Sequence, residues 1–237
     1  MIYIEKSPKP SFTVNYKDKT QTRPLIRADF FDVCYLCERH VEIDYEIDHF
    51  LPQNDYPTKE NDWDNLYFIC GKCNKIKSNS YNKPTGKQIL DCCKKNEADA
   101  IELSFDATNK AISIQSNSSD TALNEKIANT IELLEKIYHG KKKSSLYFVD
   151  LKNEILKRIA VFEEVIEEYK TNKILKKITE KKVIQHINVK KIKEKYNNLQ
   201  SNSQPYKLGD EPCFISFKRS IIKNDHHLSN EFAGYFD

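Results

Sequence analysis

The sequence lacks long hydrophobic runs, a secretory signal and internal repeats. No uninterrupted apolar stretch exceeds five residues, the length of Leu66–Cys70, whereas a transmembrane helix needs about 20. The first residues, Met1–Lys6, contain no long apolar region of the kind that directs secretion. These absences exclude a transmembrane helix, and we expect a cytoplasmic protein that does not enter a membrane.

The composition is that of a folded chain. Of 237 residues, 39% are apolar, 31% are charged and 11% are aromatic. This length suits one or two domains and is enough to bury a hydrophobic core. Tyr and Phe each bury a large area, so the aromatic content argues against disorder.

Charge is distributed unevenly along the chain. The net charge is +3, but residues 141–195 contain 16 Lys and Arg against eight acidic residues. The rest of the chain therefore carries a net charge of −5. A basic helical region of this kind can follow a phosphate backbone. The alternative is that its lysines line ordinary solvated helix faces.

The chain divides into three segments. Residues 1–30 form a polar arm, with Pro24 placed to open a short helix through Phe31. Residues 31–83 contain the paired cysteines and most of the chemically active side chains. Residues 84–237 read as mostly helical, and serve either to dock a partner or to bind nucleic acid.

Apolar periodicity predicts three long helices after residue 120. The first has Asp120 as its N-cap and Gly140 just beyond its end. Ahead of these helices, residues 101–105 and 111–115 predict a hairpin with its turn at 106–110. We expect a loop at 201–212, a short helix or strand at 213–222 and a loose tail. The apolar positions of the three helices are Leu123, Ile127, Ile131, Leu134 and Tyr138; Leu151, Ile155, Ile159, Phe162, Ile166 and Tyr169; and Val189, Ile192, Tyr196 and Leu199.

Four of the seven cysteines have the spacing of a zinc site. They form two Cys-x2-Cys pairs, Cys34 with Cys37 and Cys70 with Cys73. Four thiolates suit tetrahedral zinc and leave no open coordination position, so this Zn²⁺ is expected to be structural. The stretch between the pairs is longer than in a simple zinc ribbon, which indicates that it carries something else. The odd cysteine count argues against a disulfide framework.

The stretch between the pairs, and the residues just after it, combine groups suited to phosphodiester hydrolysis. His49 is a candidate general base because imidazole exchanges protons near neutral pH. Asp48 and Asn74 offer hard oxygens to Mg²⁺ or Mn²⁺. Asn65 is placed to orient the His49 ring. Lys77 lies one helical turn after Asn74 and is placed to hold a phosphate of DNA.

The local strand geometry restricts how these residues meet. Neighbouring strand residues point to opposite faces, so Asp48 and His49 converge only where the strand ends or bulges. Pro52 is consistent with a strand that ends there. Asp44 and Glu46 alternate with apolar residues and are predicted to form the polar face of the same strand.

These residues resemble the HNH endonuclease family in its HNN variant. The likeness covers residues 34–77: Asp-His, a Pro shortly after, Asn-Leu, and Cys-x2-Cys followed by Asn74 where the commonest members have His. It implies a ββα-metal core in which His49 activates water, Asn65 positions His49, and Asp48 and Asn74 bind a divalent ion. It also implies that the four paired cysteines bind zinc, and that a helix begins near Lys72.

A closer resemblance is to the HNH nuclease subunit of Septu-type and retron-associated anti-phage systems. It rests on Ile4, Lys6 and Pro10, on the segment 34–39, on Tyr56-Pro57 after Pro52, and on the helical C-terminal half. This resemblance implies an ABC/SMC-like ATPase as partner.

The sequence thus predicts an α+β protein, with a small ββα-metal core and a four-cysteine zinc site followed by a mostly helical region. The leading function is a metal-dependent endonuclease acting on DNA. A non-catalytic zinc-stabilised nucleic-acid-binding module is the alternative, as is an assembly subunit whose helices after residue 120 expose an apolar stripe.

Overall fold

The computed structural model describes residues 1–106, 108–109, 111–140, 146–172, 174–202 and 211–236. Within these ranges the strands are β1 (Tyr45–His49), β2 (Leu66–Cys70), β3 (Ile101–Asp106) and β4 (Ala111–Ser116). The helices are α1 (Thr22–Phe30), α2 (Gly71–Lys77), α3 (Lys95–Ala98), α4 (Asn124–Tyr138), α5 (Leu146–Thr171), α6 (Lys176–Ile187), α7 (Val189–Ser201), α8 (Ile215–Asn224) and α9 (His226–Phe232). The architecture is α+β with a helical C-terminal part, as predicted. In the described part of the chain, no helix combines the length and hydrophobicity needed to cross a membrane.

Strands β1 and β2 form an antiparallel hairpin that leads directly into α2. The register runs from Tyr45 opposite Cys70 to His49 opposite Leu66 without interruption. All five residues of β2 are buried, while β1 is partly exposed. This order of strand, loop, strand and helix confirms the ββα arrangement, and the helix begins at Gly71, one residue before the predicted start.

Strands β3 and β4 form a second hairpin, one residue longer on each strand than predicted. They pair from Ile101 opposite Ser116 to Asp106 opposite Ala111. The predicted turn at 106–110 is described at 106, 108 and 109 only, where an Asp106 carboxylate oxygen accepts hydrogen bonds from the amides of Thr108 and Asn109.

The apolar periodicity located the long helices well. All six apolar positions predicted for α5 are buried. Asp120 accepts a hydrogen bond from the amide of Ala122 at the turn that leads into α4, and Gly140 has a positive φ of 65° just after its end. Helix α1 begins two residues before Pro24. The predicted loop at 201–212 falls mainly on residues outside the described ranges.

The tail after residue 222 is folded, which corrects the prediction of a loose end. Helix α8 continues to Asn224, and α9 follows after Asp225, whose carboxylate accepts hydrogen bonds from the amides of His227 and Leu228. Leu228 and Phe232 are buried against α5 and α6 in a second hydrophobic cluster. Because this face contains only two large apolar residues, periodicity alone gave a weak signal for it.

The turn between Cys34 and Cys37 and the residue after it connect distant parts of the chain. The Glu38 side chain is fully buried, and its carboxylate accepts hydrogen bonds from the amides of Ile2 (3.3 Å) and Ser216 (2.8 Å). The backbone carbonyl of Glu38 also accepts from the amide of Phe214 at 2.8 Å. Glu38 thereby places a negative charge at the N-terminal end of α8, where the helix dipole stabilises it.

Candidate active site

The four paired cysteines converge on one point beneath the β1–β2 hairpin. Their sulfur atoms all lie within 4.8 Å of one another, and Sγ of Cys37 is 3.9 Å from Sγ of Cys70. Tetrahedral zinc with four Zn–S bonds of about 2.3 Å places the sulfurs roughly 3.8 Å apart, so the cluster fits this ion. The amide of Cys73, in the first turn of α2, donates to Sγ of Cys70 at 3.4 Å.

The surroundings shift the pKa values of the cluster's thiols in opposite directions. Hydrogen bonds from Cys34 and Cys37 lower the pKa of Cys70, whereas burial raises the pKa of Cys73 well above its ordinary value. A bound cation would favour the thiolate at all four positions. The other three cysteines are also free thiols, and two of them, Cys92 and Cys93, lie in the turn before α3.

The Asp48 carboxylate faces the protein interior and is neutralised there by Lys77. The ammonium nitrogen of Lys77 lies 2.9 Å from Oδ2 and 3.0 Å from Oδ1 of Asp48. The Tyr35 hydroxyl donates to Oδ2 at 2.7 Å. Burial and the adjacent carboxylate raise the pKa of Tyr35 well above its ordinary value, so this hydroxyl keeps its proton.

Lys77 does not lie where a phosphate of DNA would reach it. Its side chain is 1% exposed, and its ammonium group also donates to the backbone carbonyl of His49 at 3.1 Å. The prediction of a phosphate contact is therefore not supported by this placement. Asn74 and Lys77 do share one face of α2, as predicted, and both point toward β1. That face is turned toward the protein interior.

His49 ends β1 and is held in one orientation. Its Nε2 lies 2.8 Å from the backbone carbonyl oxygen of Glu60. Because a carbonyl oxygen only accepts, Nε2 carries the hydrogen, and in the neutral ring the lone pair is on Nδ1. The half-buried ring also makes an edge contact with Tyr16 at a centroid distance of 4.8 Å. Neither Glu60 nor Tyr16 was predicted, and a backbone carbonyl carries no signature in a sequence.

Asn65 fixes the loop between the strands instead of contacting His49. Its Oδ1 accepts from the amide of Leu51 at 2.7 Å, and its Nδ2 donates to the carbonyls of Leu51 (3.1 Å) and Lys59 (3.0 Å). Within the described residues, no hydrogen bond joins Asn65 to the His49 ring. Since Glu60 directly follows Lys59, Asn65 orients the imidazole indirectly, through the loop.

Asn74 lies beside the carboxylate of Glu46, a residue that the sequence pattern predicted only as part of the polar face of β1. Its Nδ2 donates to the carboxylate of Glu46, on β1. Glu46 and Asp48 are two residues apart, so both side chains point to the face of β1 that α2 covers. The signal for this pairing was present as the period-2 spacing of Glu46 and Asp48.

Asp48 and His49 point to opposite faces of β1. The strand register continues through both residues without a bulge, and their contacts are separate: Asp48 contacts Tyr35 and Lys77, whereas His49 contacts Glu60 and Tyr16. Asp48 and His49 therefore do not converge in this structure, although both lie near the end of the strand.

Trp63 anchors the N-terminal arm to the loop. Its ring is fully buried, and Nε1 donates to the carbonyl of Ser7 at 2.9 Å. The Lys6 ammonium lies over the ring, 4.7 Å from its centroid. A side chain packed in this way holds the loop and is not available to stack on a base.

The hairpin, helix α2 and the cysteine cluster together define a ββα unit built around a four-cysteine site. Residues 34–80, which include this unit, match the family model described as HNH endonuclease. This match covers the region of the predicted resemblance and indicates a nuclease domain, a class that uses divalent metals. No curated protein matches the chain.

Proposed function

We propose that the chain is a metal-dependent HNH endonuclease that hydrolyses phosphodiester bonds in DNA, with His49 as its general base. The observation that carries this proposal is the His49 ring, held through Nε2 by the Glu60 carbonyl within the region that matches the HNH family. A neutral imidazole fixed in this way presents Nδ1 as a proton acceptor.

In the proposed reaction, His49 accepts a proton at Nδ1 from the water that attacks phosphorus. The Glu60 carbonyl then accepts a hydrogen bond from the resulting imidazolium through Nε2. Asn65 keeps the loop, and with it the Glu60 carbonyl, in place. The Tyr16 ring packs nearly perpendicular to the imidazole and limits its rotation.

The chain offers hard oxygens for a divalent ion on the α2 side of β1. Asp48 and Asn74 would hold Mg²⁺ or Mn²⁺, and the carboxylate of Glu46 lies next to Asn74. Both Asp48 oxygens are bonded to Lys77 or Tyr35, so coordination by Asp48 requires Lys77 to yield one of them. When bound, such an ion would supply charge stabilisation for the leaving 3′-oxygen. This requires the end of β1 to rearrange, because Asp48 and His49 point to opposite faces of the strand.

Cleavage of supercoiled plasmid tests the proposal directly. We expect the purified protein to nick plasmid with Mg²⁺ or Mn²⁺ and to be inactive in EDTA. Removal of a general base lowers rates by about 10²–10⁴-fold, so we expect His49→Ala to lose activity to that extent. His226→Ala, on an exposed position of α9, is the matched control. Equal cutting by the wild type and His49→Ala would refute the role of His49.

A second candidate function is a zinc-stabilised nucleic-acid-binding or assembly subunit without catalysis. The buried Lys77–Asp48 ion pair favours it, because it occupies the carboxylate that a catalytic ion needs. This candidate predicts salt-sensitive DNA binding without metal-dependent cleavage. The plasmid assay, paired with a DNA-binding assay, separates the two.

The defence role and the ATPase partner remain part of the proposal. Both rest on the motif resemblance. A protein partner is also supported by an exposed apolar surface around the start of α6, where Ile174 is 95% exposed and Ile178 is 56% exposed. A partner that buries these side chains is favoured by the hydrophobic effect. Where an ABC/SMC-like ATPase is encoded beside the chain, repeating the plasmid assay with that ATPase tests whether activity requires it.

A further inference from the structure

A cleft of about 370 Å³ separates the N-terminal arm from β1. We call it the arm cleft. Its lining residues come from the loop before α1, the start of α1, and β1: Tyr16, Lys17, Lys19, Arg23, Glu46 and Ile47.

The arm cleft opens beside the imidazole of His49. Tyr16 lines the cleft and makes a T-shaped contact with the His49 ring. Ile47, also in the lining, is two residues before His49 and shares its face of the strand. The amide of Tyr16 donates to Oδ1 of Asn61 at 3.1 Å, so the arm is fixed to the loop that orients His49.

Charge distinguishes the arm cleft from two other clefts near the site. Three basic side chains and one carboxylate line it, which gives a net charge of +2. The cleft on the zinc side, of about 810 Å³, balances Arg39, Lys72 and Lys75 against Glu42, Asp44 and Glu46. The cleft on the loop side, of about 180 Å³, has Lys59 and Lys94 against Asp62, Asp64 and Asp91. Of the three, the arm cleft alone attracts a polyanion.

The cations of the arm cleft are available for a ligand. Lys17 and Lys19 are exposed, and within the described part of the chain neither they nor Arg23 form an ion pair. The Arg23 guanidinium stacks on the Tyr45 ring at 5.0 Å, and its Nε is buried without a hydrogen-bond partner in the described residues. Because this atom is closed to solvent, a phosphate oxygen would be bound by the terminal nitrogens of the planar guanidinium, whose geometry matches a phosphate group.

We infer that the arm cleft binds the phosphodiester backbone of the nucleic-acid substrate, next to the bond that His49 attacks. Lys17, Lys19 and Arg23 are positioning residues that contact the phosphates flanking the cleaved one. This inference rests on the proposed function, because it takes His49 as the reacting group.

Salt-dependent binding of a labelled DNA duplex tests the inference without cleavage, in protein carrying His49→Ala. Each lost phosphate contact lowers the slope of log K against log salt by about 0.9. We therefore expect Lys17→Ala/Lys19→Ala to lower the slope by about two and the affinity at 0.1 M salt on the order of 10- to 100-fold. Both lysines are exposed, so the melting temperature should not change.

Lys9→Ala/Lys75→Ala is the matched control, because it removes the same charge from exposed positions outside both the arm cleft and the basic region 141–195. We expect it to leave the slope nearly unchanged. Adding Arg23→Gln to the arm variant should lower the slope by about one more. With His49 restored, the arm variants should raise KM for plasmid and preserve kcat, the signature of lost substrate binding.

The outcomes separate this inference from the proposed function. A lower slope in the arm variants alone supports the cleft, even if the wild type never cuts DNA and the nuclease proposal fails. Equal slopes in the arm and control variants overturn the cleft, even if the wild type cuts normally. Absence of any salt-dependent binding also overturns it.

Discussion

At the residue scale, the site is organised by contacts between positions far apart in sequence. Lys77 and Asp48 are separated by 29 residues, and His49 is held by a backbone carbonyl 11 residues away. The sequence could place Asn74 and Lys77 on one helix face, since they are three residues apart. Which surface that face meets depends on tertiary packing, and a carbonyl partner is invisible in a sequence. The predicted site residues therefore lie in one region, while several of their partners differ from those predicted.

The Lys77–Asp48 ion pair should be essential for stability. Lys77→Ala leaves the Asp48 carboxylate buried without its counter-charge, and we expect the free energy of unfolding to fall by about 3–5 kcal/mol. Urea denaturation measures this change. Lys75→Ala, on an exposed position of the same helix, is the control and should change stability by less than about 0.5 kcal/mol.

Replacing both members of the pair separates charge from packing. The double variant Lys77→Met/Asp48→Asn removes both charges, and we expect it to recover much of the stability that Lys77→Ala loses. If Lys77→Ala and Lys75→Ala unfold at the same urea concentration, the buried ion pair is not formed in solution.

At the element scale, periodicity predicted the helices whose apolar stripe is long. The stripe of α5 has six apolar positions, all buried, so its pattern was unambiguous. Helix α6 was not predicted, because its buried face includes Thr179 and His186 beside Val183 and Ile187. Polar residues on a buried face interrupt the apolar pattern on which the prediction depends. Their burial is understood only once α5 and α8 are in place.

His186 on α6 should make stability depend on pH. It contacts Phe162 on α5 and lies 3.3 Å from the Lys218 ammonium, and burial followed by this cation lowers its pKa from 6.5 to about 2. Below pH 6.5 the unfolded chain binds a proton at this position and the folded chain does not. Neutral His186 therefore contributes fully to the free energy of unfolding above pH 6.5. This contribution is lost as pH falls, and the loss reaches about 2 kcal/mol at pH 5.

Urea denaturation of the wild type and His186→Gln at pH 7 and pH 5 measures this effect. We expect the wild type to lose more stability than the variant over this interval. His227→Gln, on an exposed position of α9, should follow the wild type. An identical pH dependence in wild type and His186→Gln would show that His186 is protonated in the folded protein.

At the scale of the whole molecule, the cysteine cluster lies inside the larger hydrophobic cluster. That cluster includes residues from the N-terminal arm, the β1–β2 hairpin, α4, α5 and α8, so the zinc site is part of a core shared by all three predicted segments. The smaller cluster, between α5, α6, α8 and α9, is separate from it. Loss of the metal should therefore affect the larger core first.

Removal of zinc should unfold the region around the larger core. Structural zinc contributes about 10–16 kcal/mol in zinc-finger peptides, which is comparable to the total stability of a domain. We expect one zinc per chain by atomic absorption, and loss of both the metal and the cooperative unfolding transition in Cys73→Ser. Cys93→Ser, outside the cluster, is the control and should retain both. Full retention of the transition by metal-free Cys73→Ser would show that the cluster is not a structural zinc site.

The buried carboxylate of Glu38 has a consequence for the order of folding. Its bond to Ser216 closes a loop of 178 residues, whereas Cys37 and Cys70 are only 33 residues apart. Each doubling of loop length adds about 0.6 kcal/mol to the free-energy cost of closing the loop, and contacts between distant residues form slowly. We expect the cysteine pairs to capture their ion first, while Glu38 is still hydrated. The arrival of α8 then buries that charge, so the same turn takes part in an early and a late step of folding.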